Sequence, residues 1–161
     1  MRMIKAMMLA AAVLLSSTAY ALTDDEQVAL SNAMDNGDVA LVKKLIKSGS
    51  LDVNQQAMGW TWLHIAATKN QLEIAKVLVE NGAELNVRHP MTKATPLAQA
   101  AMTGSTEVVK YLLSKGADPN IKLRANVSLL RAVRDEGMTE MAALLEQNGA
   151  VDDGCQDEKC F

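Results

Sequence analysis

The stretch GWTWLHIAATKNQLEIAKVLVENGAELN, residues 59–86, decides the fold because the chain repeats it. Gly82-Ala83 recurs as Gly116-Ala117 and again as Gly149-Ala150, at spacings of 34 and 33 residues. Thr61-Trp62-Leu63-His64 recurs as Thr95-Pro96-Leu97-Ala98 and, further altered, as Ser128-Leu129-Leu130-Arg131. Self-similarity at such a period marks a stack of like supersecondary units, each covering its neighbour's apolar face, rather than one continuous core.

On these residues the stretch resembles the ankyrin repeat, a unit of about 33 residues built from a β-turn and two antiparallel helices with a T-P-L-H-x-A signature. Thr61, Leu63, His64, Ala66 and Ala67 stand at signature positions, with Trp62 in place of the proline. Thr95, Pro96, Leu97, Ala100 and Ala101 match in the next unit, with Ala98 in place of the histidine. The resemblance covers about residues 25–152. It implies an all-α ankyrin repeat solenoid of four helix-turn-helix units with short β-hairpin fingers. The expected units are 25–57, 58–91, 92–124 and 125–152, inside a repeat domain of residues 22–152.

Working outward, Thr23-Asp24-Asp25-Glu26 opens the first unit as a helix N-cap followed by acids that suit a positive helix start. Helices are expected near 25–35 and 38–47, the second with Val39, Leu41, Val42, Leu45 and Ile46 as its apolar face and Gly49 as its cap. The same spacing places helices near 62–69 and 72–81, 96–103 and 106–115, and 129–136 and 139–148. Pro96 fits the first helical turn, where no amide hydrogen is needed. The first unit lacks the signature and the fourth is rich in charge, with Arg131, Arg134, Glu136 and Glu140. Both traits suit terminal, capping repeats.

The composition is 49% hydrophobic yet 3% aromatic, a mix that suits narrow interfaces filled by Ala and Leu. Net charge is −3, and residues 1–21 contribute Arg2 and Lys5 with no acid, so the remainder is more acidic still. An acidic domain has no general attraction to phosphate backbones, which argues against nucleic acid as a partner. Residues 1–21 read as a secretory signal: a positive start, an apolar run from Ala6 to Leu15, and Ala19-Tyr20-Ala21 before an expected new N-terminus at Leu22. The run is too short to span a bilayer, which takes about 20 apolar residues. A periplasmic location is expected, with secretion as the alternative. In the tail, 153–161, Cys155 and Cys160 are the only cysteines. In an oxidising compartment this pair reads as a disulfide, with a mixed disulfide to another chain as the alternative.

Little in the chain resembles chemistry. His64 belongs to the repeat signature, where the resemblance implies a structural hydrogen bond to the neighbouring backbone. His89 is expected on an exposed finger, and one histidine is a weak metal site. No Gly-x-Ser-x-Gly turn, phosphate-cradling glycine loop or His-x-x-x-His pair occurs. Asp24, Asp25 and Glu26 read as a solvated helix start. Met138 and Met141 form the one methionine pair that a copper reading would use, and they read equally well as core. No enzyme activity and no cofactor are expected, and the chain is expected to be a monomer.

What remains is surface. The resemblance implies that finger tips and first helices line a concave face that binds proteins. Carried over by position, that face holds Gln55, Met58, Trp60, Thr68 and Lys69, then Arg88, His89, Met91, Met102 and Thr103, then Arg124, Asp135 and Glu136. Met58, Trp60, Lys69, Arg88, His89, Met91, Met102 and Arg124 are the expected partner-contact residues, because Met, Trp and Arg are enriched in interface cores. Trp60 reads equally as repeat packing. The expected function is a non-catalytic protein-binding module in the periplasm, similar to small exported inhibitor or immunity proteins. The alternative is an accessory protein of oxidative-stress defence or a metal-binding carrier.

Overall fold

The computed structural model describes residues 22–151. The expected leader, residues 1–21, and the Cys155–Cys160 pair lie outside the described residues. Among these, eight α-helices form four pairs: α1 (Asp24–Asn36) with α2 (Val39–Lys47), α3 (Trp62–Thr68) with α4 (Leu72–Glu80), α5 (Pro96–Met102) with α6 (Thr106–Ser114), and α7 (Leu129–Asp135) with α8 (Thr139–Gln147). Helix α3 packs on α5 and α5 on α7, while α2 packs on α4 and α4 on α6. The result is a solenoid with inner and outer helical layers.

The signature threonines explain where the inner helices begin. Thr61, Thr95 and Ser128 are N-caps whose hydroxyls accept from the amides of His64, Ala98 and Arg131. Thr23 and Glu26 form a capping box at α1. Each cap fills an otherwise unmet donor and contributes about 1 kcal/mol. The turns between paired helices each need a left-handed residue. Gly37, Gly104 and Gly137 supply it, and in the second unit Asn70 does so at φ 56°, the residue type other than glycine that tolerates this region best.

The core runs the length of the stack: Leu30, Met34, Leu63, Ile74, Leu78, Leu97, Leu112, Leu129, Leu130 and Leu145 are fully or almost fully buried. Ala66, Ala67, Ala100 and Ala101 have no exposure, which lets the inner helices approach closely. Asparagines then latch successive units. The Asn54 amide donates to Gly82 O at 2.9 Å and its oxygen accepts from Glu84 N at 2.8 Å. Asn86 accepts from Asp118 N at 3.0 Å. Asn120 repeats the full latch to Gly149 O and Val151 N, both at 2.9 Å.

Three loops project before the inner helices. The first is a two-stranded hairpin, β1 (Gln56–Ala57) and β2 (Trp60–Thr61), paired Gln56 to Thr61 and Ala57 to Trp60. The second closes through His89 N to Ala94 O at 2.9 Å without forming named strands. The third has a bridge between Lys122 and Ser128 around a 3₁₀ turn, Arg124–Asn126. Their tips hold Met58, Lys93, Ala125 and Asn126 at positive φ.

Candidate functional site

His64 is fully buried and sets the floor of the site. Its Nδ1 accepts from Thr61 N at 3.2 Å, so the ring proton sits on Nε2, which donates to Ala94 O at 3.2 Å in the next unit. Desolvation holds its pKa below the ordinary imidazole value, and the nearby His89 acts the same way, against the opposing pull of the Ala94 carbonyl.

His89 is not exposed, as its place on a finger suggested; only 2% of it reaches solvent. Its Nδ1 accepts from Thr92 N at 3.3 Å, and Nε2 donates to Met58 O at 3.2 Å across 31 residues of sequence. It therefore repeats the role of His64, stapling one finger to the one before. Trp60 completes the cluster. Its ring centroid lies 4.2 Å from that of His89, tilted by 33°, and 5.4 Å from that of His64, edge-on at 85°. The packing is close: a Cβ at Gly59 would lie 2.4 Å from Pro90 Cδ. His89 and the half-buried Trp60 thus have a folding explanation.

The remaining expected contact residues lie on the surface. Met58 is 94% exposed, Met91 73% and Met102 37%. Lys69 pairs with Asp35 at 2.7 Å, tying α3 to the end of α1. The Arg88 guanidinium donates to Lys122 O on the third finger. Arg124 N donates to Thr92 O at 3.0 Å, joining the second and third fingers, while its side chain stays exposed. Between these fingers and α5 opens a cleft of about 400 Å³ lined by Thr92, Ala94, Gln99, Met102, Leu123, Arg124 and Val127. Leu123 and Val127 join the site only through the fold, as does the sharing of one cleft by Met102 and Arg124.

Among the described residues no group of three or more His, Cys, Asp or Glu side chains is placed to hold a metal. Met141 is buried and Met138 half-buried beside it in the fourth unit, in keeping with core packing. No described helix is long and apolar enough to cross a membrane.

A family model described as "Ankyrin repeats (3 copies)" matches residues 3–89 and 30–123. The chain belongs to the ankyrin repeat family. This ankyrin chain is 33% identical over 126 residues to an ankyrin repeat, SAM and basic leucine zipper domain-containing protein 1 of Rhinolophus ferrumequinum, covering 75% of this chain and 26% of that one. It is 31% identical over 117 residues to the ankyrin repeat and KH domain-containing protein mask-1 of Caenorhabditis elegans, covering 73% and 4%. It is 33% identical over 101 residues to palmitoyltransferase AKR1 of Lachancea kluyveri, covering 61% and 14%. The chain thus spans about a quarter or less of the length of these eukaryotic relatives. Ankyrin repeats are protein–protein interaction modules, and the match is to that module.

Proposed function

We propose that this ankyrin chain is a non-catalytic docking module that holds a folded protein partner on the fingers and inner helices of its second and third units. The observation that carries the reading is the exposure of Met58 and Met91 on the first two fingers, with Met102 at the wall of an open cleft between the second and third. Met58 and Met91, being largely in solvent, contribute little to packing, and flexible, polarisable Met side chains suit adaptable contact surfaces. Trp60 and His89 support the site from below by fixing the fingers in register. We further propose, from residues 1–21 and the two cysteines of the tail, that the chain works in a periplasm as a monomer with Cys155 bonded to Cys160. A role in inhibiting or neutralising another protein is the preferred version of this reading.

The test is a pair of double variants measured against a captured partner. Met91→Ala with Met102→Ala should weaken binding more than about tenfold, since buried anchors often cost about 2 kcal/mol or more when truncated, with little change in melting temperature. Lys76→Ala with Lys110→Ala, on the outer helices where both lysines pair with glutamates, should leave binding intact. The reverse pattern assigns the partner to the outer side. Mass spectrometry of the exported protein checks the rest, with Leu22 expected at the N-terminus and no free thiol.

A further inference from the structure

We propose that the segment held on this face is acidic and carries a large apolar side chain, with Arg88, Lys93 and Arg124 receiving its carboxylates and the cleft beside Met102 its apolar group. This rests on the docking reading above and adds the chemistry of the partner.

The chain is acidic overall, at −3, but its charge is sorted. Residues 53–72, 85–106 and 119–134, which contain the fingers and nearly all of the inner helices of the last three units, hold seven Lys and Arg and not one Asp or Glu. The acids of these units stand on the outer helices and the turns around them, as Glu73, Glu80, Glu107, Glu140 and Glu146 do, except for Asp135 at the end of α7, which pairs with Arg131. Such sorting makes the potential over the fingers positive although the molecule as a whole repels anions.

Part of that charge is spent inside the fold. Lys69 pairs with Asp35, Arg131 with Asp135, and Arg134 with Glu146. Arg88, Lys93 and Arg124 form no ion pair among the described residues. The contact of Arg88 with the Lys122 carbonyl fixes its guanidinium without neutralising it. Arg124 stands at the cleft whose walls include Ala94, Met102, Leu123 and Val127. An apolar recess bordered by an arginine that can bind a carboxylate with two parallel hydrogen bonds fits a segment that alternates the two chemistries. A nucleic-acid strand fits less well, because it calls for a long basic track and open aromatic platforms, and Trp60 is already stacked on His89.

The experiment selects peptides from a random display library on the whole chain, then measures their affinity by fluorescence anisotropy. The expected winners are rich in Asp and Glu around Leu, Ile, Met or Phe. They should bind the triple variant Arg88→Glu, Lys93→Glu, Arg124→Glu at least about thirtyfold more weakly and lose affinity several-fold between ~50 and ~300 mM salt. Circular dichroism confirms that the variant, changed only at exposed positions, is folded. Neutral or basic winners, or equal affinity for the reversed variant, overturn the proposal. So does oligothymidylate binding that the triple variant abolishes, which assigns the face to nucleic acid. A gain in affinity of more than about tenfold when Asp152, Asp153, Asp157 and Glu158 are changed to amides assigns the face to the chain's own tail and overturns the proposal of a separate partner. If Met91→Ala with Met102→Ala weakens binding and charge reversal does not, the docking reading stands and the acidic partner falls. If neither matters, both fall.

Discussion

His64 shows how much one side chain in this fold carries. Fully buried and accepting at Nδ1, it is held neutral, with its pKa below the ordinary 6.5. As pH falls through that value the unfolded chain takes up a proton that the folded chain resists. The unfolded state then binds more protons, so stability declines with falling pH until the lowered folded pKa is reached. The urea midpoint should therefore drop between about pH 7.5 and about pH 5.5, with a shallower drop in His64→Gln. A pH-independent midpoint in the parent chain would contradict this. Ala125 tests backbone strain: it sits at φ 59° on the third fingertip, where a Cβ costs about 1–2 kcal/mol. Ala125→Gly should raise unfolding stability by about 0.5–1 kcal/mol after the entropy of glycine is subtracted, measured by denaturant melts. The Tyr111 hydroxyl is buried without a hydrogen-bond partner among the described residues, and burial also pushes its pKa up. Tyr111→Phe removes only that stranded group, so it should be neutral or stabilising by up to about 1 kcal/mol. A large loss would mean that the hydroxyl has a partner in solution.

At the scale of elements, the helices and the presence of fingers were legible, and the contacts between fingers were not. Thr61, Thr95 and Ser128 announce the inner helices because a cap works through bonds three residues away. Gly37, Asn70, Gly104 and Gly137 announce the turns for an equally local reason, their left-handed backbone. The fingers obey longer-range contacts. Nothing near His89 reveals that its Nε2 donates to Met58 O in the previous finger or that its ring stacks on Trp60. Position alone therefore suggested exposure where the structure has burial. The contact can be probed at Gly59, whose φ is +86° and whose added Cβ would strike the Pro90 ring. Gly59→Ala should cost more than about 1 kcal/mol and speed amide exchange at His89 and Lys93, leaving the amides of α6 protected. Uniform protection across both fingers would show that they do not lean on each other.

For the whole molecule, the period of 33 to 34 residues in the Gly-Ala pairs was enough to give a solenoid of paired helices. The exposed methionines were also within reach, since the repeat assigns Met58, Met91 and Met102 to positions that do not join units. Composition misled in one respect: a net charge of −3 conceals fingers free of acids, because net charge averages over both sides of a stack. The fingers stand on the face on which the molecule is proposed to meet its partner. That proposal is tested most directly by installing a photo-crosslinking residue at Met91 and, in a separate variant, at Lys110, and irradiating each with the partner present. An adduct is expected from position 91 and none from position 110. An adduct from position 110 with none from position 91 would contradict it.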